Sequence, residues 1–176
     1  GSSEFYYTLL NYTFFRSALQ LHLKSANDKT AFNASVPPVN PIVGSTRIAV
    51  PSALAGVLNL PQFGIRADGN DCTIGQAGCY DGIITISNSL QTSGRLYYRT
   101  GPIASNQYDF YSAVQHETDE ILGTTSCAFS CGSRDFFTPP DLFRYHSDGT
   151  RSSTPGTNAP CSAPSNSNAC FSLDGI

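Results

Sequence analysis

Gln115-His116-Glu117-Thr118-Asp119-Glu120-Ile121-Leu122-Gly123 reads as the zinc helix of an H-E-x-x-H protein in which one donor has changed. In that motif two His side chains four residues apart bind Zn²⁺ from one helix face, and the Glu after the first His handles the proton of the activated water. His116 and Glu117 occupy the first two places, and Glu120 stands where the second His belongs. Helical residues turn by about 100° each, so positions four apart lie about 40° apart around the axis and share a face. A carboxylate oxygen reaches zinc at about the imidazole distance, but its charge leaves the ion a weaker Lewis acid. His116 and Glu120 are therefore the first expected metal donors, and Glu117 the expected general base.

A catalytic zinc site takes three protein donors, so a third must come from elsewhere. In the long motif H-E-x-x-H-x-x-G-x-x-H or -D of the metzincins it lies six residues after the second donor. That position holds Ser126, a poor zinc ligand, although Gly123 keeps the motif's glycine. Downstream candidates are Asp135, Asp141 and His146, of which His146 is favoured because imidazole suits Zn²⁺ and completes a His-Glu-His set. The competing reading makes His146 a turn residue ahead of Asp148-Gly149, and Asp141 a capping or ion-pairing residue near Arg144. Metzincins also place a Met-x-Tyr turn beneath the metal. This chain has no Met, but Phe143-Arg144-Tyr145 has the same spacing, which makes Tyr145 a candidate to support the oxyanion. A plain strand with Phe143 in the core competes with that assignment. Asp119 and Glu120 could likewise face solvent, with only His116 and Glu117 half-buried.

The chain has 176 residues, enough for one core that buries roughly 70 % of the unfolded surface. Its net charge is −3, its charged fraction only 13 %, and no two basic residues adjoin, so nucleic acid and anionic membranes have no electrostatic footprint to bind. The expected partner is a protein or peptide substrate, and the expected state a monomer. Six Cys fall into three local pairs, Cys72–Cys79, Cys127–Cys131 and Cys161–Cys170, the pattern of a secreted protein stapled by disulfides. Asn11-Tyr-Thr13 and Asn33-Ala-Ser35 are glycosylation sequons, relevant only to a eukaryotic source. No stretch approaches the roughly 18 apolar residues of a membrane span. Gly1 to Phe5 looks like a cloning remnant, which sets the domain at residues 6–176 with natural ends trimmed.

Apolar spacing predicts a helix from Tyr6 to about Ala26, on which His22 is a surface residue. A proline-rich linker from Val36 to Pro41 precedes a strand over Thr46 to Val50 and a short helix over Pro51 to Leu58. Arg66 to Gly82 reads as a polar loop whose Asp spacing does not match a calcium loop. Gly82 to Ser87 and Gly94 to Thr100 read as strands, forming a hairpin or adjacent strands of a mixed sheet. The zinc-type helix spans about Gln107 to Leu122, with Phe110, Val114, Ile121 and Leu122 inward and Gly123 as C-cap. A strand edge beside such a helix lets an extended peptide add on next to the metal. After a loop from Thr124 to Pro140, Asp141 to His146 is a tight apolar segment, Ser147 to Ala169 is low in complexity, and Cys170 to Asp174 reads as a final strand.

HETDEILG resembles the HEIDEVLG variant of a family of secreted bacterial metalloprotease-like proteins whose other members show HEIGH-x-LG, often with a C-terminal sorting segment. Further blocks resemble that family in the same order: Phe15 to Leu19, Ser25 to Asn27, Ile48 to Leu60, Asp81 to Thr85, Asp141 to Tyr145, Gly149 to Ser152 and Phe171 to Gly175. The resemblance covers most of the chain from about Tyr12. It implies an α+β, metzincin-like zinc protease domain with a small mixed sheet, an active-site helix and disulfide-stapled loops. It also implies export and a zinc-dependent peptidase activity.

Overall fold

A computed structural model describes residues 1–41, 46–126, 136–146, 148–152 and 170–173. The chain opens with a short strand, β1 (Ser2–Glu4), and a longer one, β2 (Tyr7–Asn11). The periodicity-based helix from Tyr6 is thus a strand over Tyr7–Asn11. Thr8 and Leu10 are buried while Leu9 and Asn11 are exposed, a period of two that a helical reading of Leu10 and Phe14 passes over. The Asn11 side chain ends the strand and caps α1 (Tyr12–Leu21) by accepting the Thr13 amide at 2.9 Å. His22 closes α1 half-buried, its Nδ1–H donating to the Ala18 carbonyl at 2.8 Å. A second helix, α2 (Ala26–Ser35), then starts from a reciprocal cap: Ser25 Oγ accepts the Asp28 amide at 3.0 Å, and Asp28 accepts the Ser25 amide at 2.7 Å.

The central sheet is built on β3 (Arg47–Pro51), whose Ile48, Ala49 and Val50 are fully buried. Such a run suits a strand covered on both faces. β2 pairs with it antiparallel, Leu9 opposite Ala49. On its other side β9 (Phe136–Phe137) pairs parallel, Arg47 opposite Phe136, so the small sheet is mixed. α3 (Ser52–Val57) follows Pro51 directly. β4 (Gly64–Ile65) and β5 (Asp71–Cys72) form the ribbon of the polar loop, closed by the Cys72–Cys79 disulfide with Cα atoms 5.8 Å apart. The pairs Cys127–Cys131 and Cys161–Cys170 lie wholly or partly outside the described residues.

β6 (Ile83–Thr85) and β7 (Leu96–Tyr97) do not pair with each other. A helical turn, α4 (Asn88–Thr92), separates them, and each finds another partner. β6 takes β1 antiparallel, and β7 takes β8 (Tyr108–Asp109) parallel. The side-chain amide of Gln107 donates to the Gly94 carbonyl at 3.1 Å and helps hold that second pairing. Asp109 then caps α5 (Phe110–Asp119), accepting the amides of Tyr111 at 2.9 Å and Ser112 at 3.1 Å. α5 runs on into a wide π turn over Glu120–Thr124. Downstream, a 3₁₀ turn (Pro139–Phe143) leads into β10 (Arg144–Tyr145), which pairs antiparallel with β11 (Cys170–Phe171). Tyr12, Phe15, Phe32, Val36, Ile48, Val50, Leu58, Phe137 and Leu142 form one core between the sheet and the helices.

Gly123, inside the π turn, sits at φ 114°, a left-handed conformation that costs any residue with a Cβ about 1–3 kcal/mol. A Cβ there would also stand 3.3 Å from Leu54 Cδ2 on α3. Gly123→Ala is expected to lower unfolding free energy by that amount, measured by urea denaturation. An unchanged midpoint would refute the assignment. Leu122 beside it is exposed rather than inward, because the π turn rotates it off the α-helical face.

Tyr12 is 1 % exposed, and its hydroxyl donates to the Pro37 carbonyl at 2.8 Å. Burial pushes this hydroxyl up to about 12, against the opposing charges of Arg16 and Arg151. The folded value lies above the unfolded one, so the contribution to stability is complete below about pH 10 and is lost as pH rises through about 12. Unfolding above pH 10 is expected to coincide with ionisation of this phenol in the near-ultraviolet tyrosinate absorbance, and Tyr12→Phe to remove that component.

Candidate functional site

α5 delivers His116 and Glu117, and the π turn begins with Glu120. His116 Nε2 and Glu120 Oε1 lie 3.4 Å apart. Two donors each about 2.0–2.1 Å from a tetrahedral ion are separated by about 3.3–3.4 Å, so the pair has the spacing of one edge of a zinc tetrahedron. The donor chemistry, one imidazole and one carboxylate, fits that ion as well. The solvent-facing alternative holds for the burial of Glu117 but not for the pair: the His116 side chain is 71 % exposed and that of Glu120 only 32 %. Glu117 is 8 % exposed, the most buried carboxylate on α5.

β1 lies across these groups. Ser3 donates its hydroxyl to Glu120 Oε2 at 2.5 Å, so one carboxylate oxygen faces His116 and the other is held by Ser3. Gly1 packs on Glu117 so closely that a Cβ on it would stand 2.8 Å from Glu117 Oε1. The residues read as a cloning remnant are therefore part of the site's surroundings. Tyr7, at the start of β2, also approaches from this side. Burial raises its hydroxyl above the ordinary tyrosine value, a hydrogen bond with Thr125 works against the rise, and the charges of Glu120 and Asp141 add to it.

The downstream candidates are placed differently. Asp141 is 4 % exposed and caps the 3₁₀ turn: Oδ2 accepts the Thr138 amide and hydroxyl, both at 2.9 Å, and Oδ1 accepts the Ser126 hydroxyl at 2.5 Å. Arg144 Nη1 lies 3.6 Å from Oδ1 and donates to Ser126 Oγ at 2.8 Å. The capping and ion-pairing alternative thus describes Asp141, and Ser126, in the third-donor place of the long motif, is tied into the same cluster. His146 shapes a turn: its amide donates to the Thr150 carbonyl at 2.8 Å and its carbonyl accepts the Gly149 amide at 3.0 Å. The charge of His146 is one of the smaller influences holding Asp148 below the usual carboxylate range, after the hydrogen bonds from Thr150. Among the described residues no group of three His, Cys, Asp or Glu gathers, so the structure does not bring His146 to His116 and Glu120. Asp135 lies outside the described residues.

Tyr145 is placed against α2. It is 5 % exposed, and its hydroxyl donates to Ser35 Oγ at 3.0 Å, with the Ala34 carbonyl at 3.4 Å, both on α2. The Arg151 guanidinium lies 5.1 Å over its ring. It packs on α2, and the phenol whose ionisation the Glu120 charge influences is that of Tyr7. Sequence reasoning missed Ser3 and Tyr7 because no local motif marks them: Ser3 meets Glu120 across 117 positions.

Compared with protein-family models, with curated proteins and with solved structures, the chain matches none. What the fold itself establishes is a mixed α+β chain with small sheets and a Cys72–Cys79 disulfide. No described helix is long and apolar enough to cross a membrane.

Proposed function

We propose that this chain is a secreted, metzincin-like, zinc-dependent endopeptidase in which His116 and Glu120 are two of the metal donors and Glu117 is the general base. The observation that carries the proposal is the 3.4 Å His116–Glu120 pair with the buried Glu117 on the same helix. A zinc ion held there would act as a Lewis acid on the scissile carbonyl. Glu117 accepts a proton from the attacking water as its oxygen bonds to the carbonyl carbon, then returns that proton to the amine as the C–N bond breaks. Burial keeps its carboxylate in a low-dielectric setting where such a transfer is effective. Ser3 fixes Glu120 through Oε2 and leaves Oε1 toward His116. The disulfide supports an oxidising, extracellular setting.

The test is hydrolysis of casein by protein purified without chelator, together with its zinc content by elemental analysis. One ion per chain and chelator-sensitive cleavage are expected, and absence of both removes the proposal. A second reading, an extracellular binding module that has lost catalysis, is favoured by one observation: Gly1 and Ser3 cover Glu117 and Glu120. Stoichiometric zinc without cleavage in any form of the chain would select it.

A further inference from the structure

We propose that the two arginines flanking β7, Arg95 and Arg99, form a subsite for carboxylate side chains of an acidic peptide, one helical turn before His116. Arg99 touches the motif helix. Its Nε–H donates to Asp109 Oδ2 at 3.0 Å, its guanidinium lies 5.2 Å from the centre of the Tyr111 ring, and Nη2 reaches Ser112 Oγ at 3.5 Å. Ser112 and His116 are four apart on α5, so they share a face and are separated by about 6 Å along the axis. The Cα–Cβ bonds of a helix tilt toward its N-terminus, so the His116 side chain, 71 % exposed, leans toward the guanidinium. Arg95 is laid on a second tyrosine: its guanidinium lies 5.1 Å from the centre of the Tyr108 ring, and Nη2 donates to the Tyr108 hydroxyl at 3.0 Å.

These groups are fixed before a ligand arrives, which lowers the cost of binding one. Asp109 is held as the cap of α5, and Arg99 keeps a left-handed φ of 61° that a residue with a Cβ seldom adopts. The guanidinium groups nevertheless stay open. The Arg99 side chain is 55 % exposed, and Arg95 has no carboxylate partner among the described residues. Tyr108 and Tyr111 beneath them are each 53 % exposed. A planar guanidinium with N–H groups left over accepts a carboxylate in its own plane while its face stays on the ring.

Charge selects the ligand. Arg95 and Arg99 are the only charged residues from 82 to 108, in a chain of net charge −3. That total works against a long polyanion, whereas one or two carboxylates on a peptide need only these two groups. Along α5 the sign reverses, since Glu117, Asp119 and Glu120 crowd its other end. An acidic side chain is drawn to Arg99 and repelled by those carboxylates, which sets the direction in which the peptide lies along the helix. The subsite stands on these contacts, and only the statement that its ligand is a substrate rests on the proposed peptidase function.

The experiment measures, by fluorescence anisotropy, the binding of labelled Gly-Ser-Glu-Glu-Tyr-Ser-Gly and of its Gln-Gln counterpart to the full chain and to Arg95→Gln, Arg99→Gln and Arg99→Lys. An exposed ion pair contributes up to about 5-fold in affinity, so the full chain is expected to prefer the Glu peptide by at least about 5-fold. Each Gln variant is expected to reduce that ratio, the two combined to bring it to about one, and Arg99→Lys, which keeps the charge, to retain part of it. A purely structural Arg99 would weaken both peptides alike and leave the ratio unchanged, which overturns its assignment. If Arg99→Gln does not fold, Arg95→Gln, which breaks no ion pair, carries the comparison, and an unchanged ratio there overturns the inference. Equal binding of both peptides by the full chain, or of neither, overturns it as well. So does tighter binding of polygalacturonate or an oligo-dT strand than of the Glu peptide, lost in the same variants. Charge-dependent binding by a chain that neither holds zinc nor cleaves casein removes the peptidase and leaves the subsite standing. Zinc-dependent cleavage with equal affinity and equal kcat/KM for the two peptides overturns the subsite and leaves the peptidase standing.

Discussion

Glu117→Gln is expected to lower the turnover of casein cleavage about 100- to 10,000-fold while zinc content and the far-ultraviolet circular dichroism stay unchanged. The substitution keeps the size of a side chain that is 8 % exposed and packed under Gly1, so neither a cavity nor a clash arises. What it removes is the ability to take a proton, because an amide oxygen is far less basic than a carboxylate. KM is expected to change little, since the loss falls on a group that acts in the transition state. Unchanged hydrolysis would take Glu117 out of the chemistry, and with it the central element of the proposed mechanism.

Glu120→Ala is expected to weaken zinc binding by at least about 100-fold, beyond the 10- to 100-fold typical of removing a group that merely orients a ligand. Two donors at 3.4 Å become one, and His116, 71 % exposed at its side chain, cannot hold an ion alone. The loss has a thermal signature as well. Zinc at about 100 times its dissociation constant stabilises a folded chain by about 2.7 kcal/mol, or about 5–10 °C for a domain of this size. That shift is expected in the parent chain and absent from Glu120→Ala. Glu120→His separates the metal role from the contact with Ser3: zinc binding should survive, because imidazole replaces carboxylate at the same helix position, while the acid Ser3 now donates to is gone. Equal zinc content in the parent and Glu120→Ala would show that the ion, if present, sits elsewhere.

Much of the fold was legible where a residue's neighbours in sequence are its neighbours in space. Pro51 at the start of α3 and the Cys72–Cys79 loop act locally, and the structure places both within a residue of the expectation, whereas α5 ends at Asp119 and Gly123 lies inside the π turn that follows. The Ser25-x-x-Asp28 cap was equally local, but the apolar periodicity stopped at about Ala26, so the helix that this cap starts, α2, was not anticipated. Pairing was the weak point. β6 and β7 are adjacent strands in sequence, yet β6 takes the chain's first residues and β7 takes the strand just before α5. No pattern within a three-residue strand selects between such partners, because what selects them is the packing of their far neighbours.

For the site, residue types and helical spacing by themselves determined that His116 and Glu120 share a side and that Glu117 follows next to them, since an α-helix brings residues four apart together wherever it lies. Only the tertiary structure decided what surrounds that helix: Ser3 on Glu120, Gly1 over Glu117, Tyr7 alongside, Asp141 and Ser126 tied to Arg144, and Tyr145 turned to α2. These contacts join residues up to 117 positions apart, and they form because the core brings distant segments together to bury apolar surface, a condition that no local spacing records.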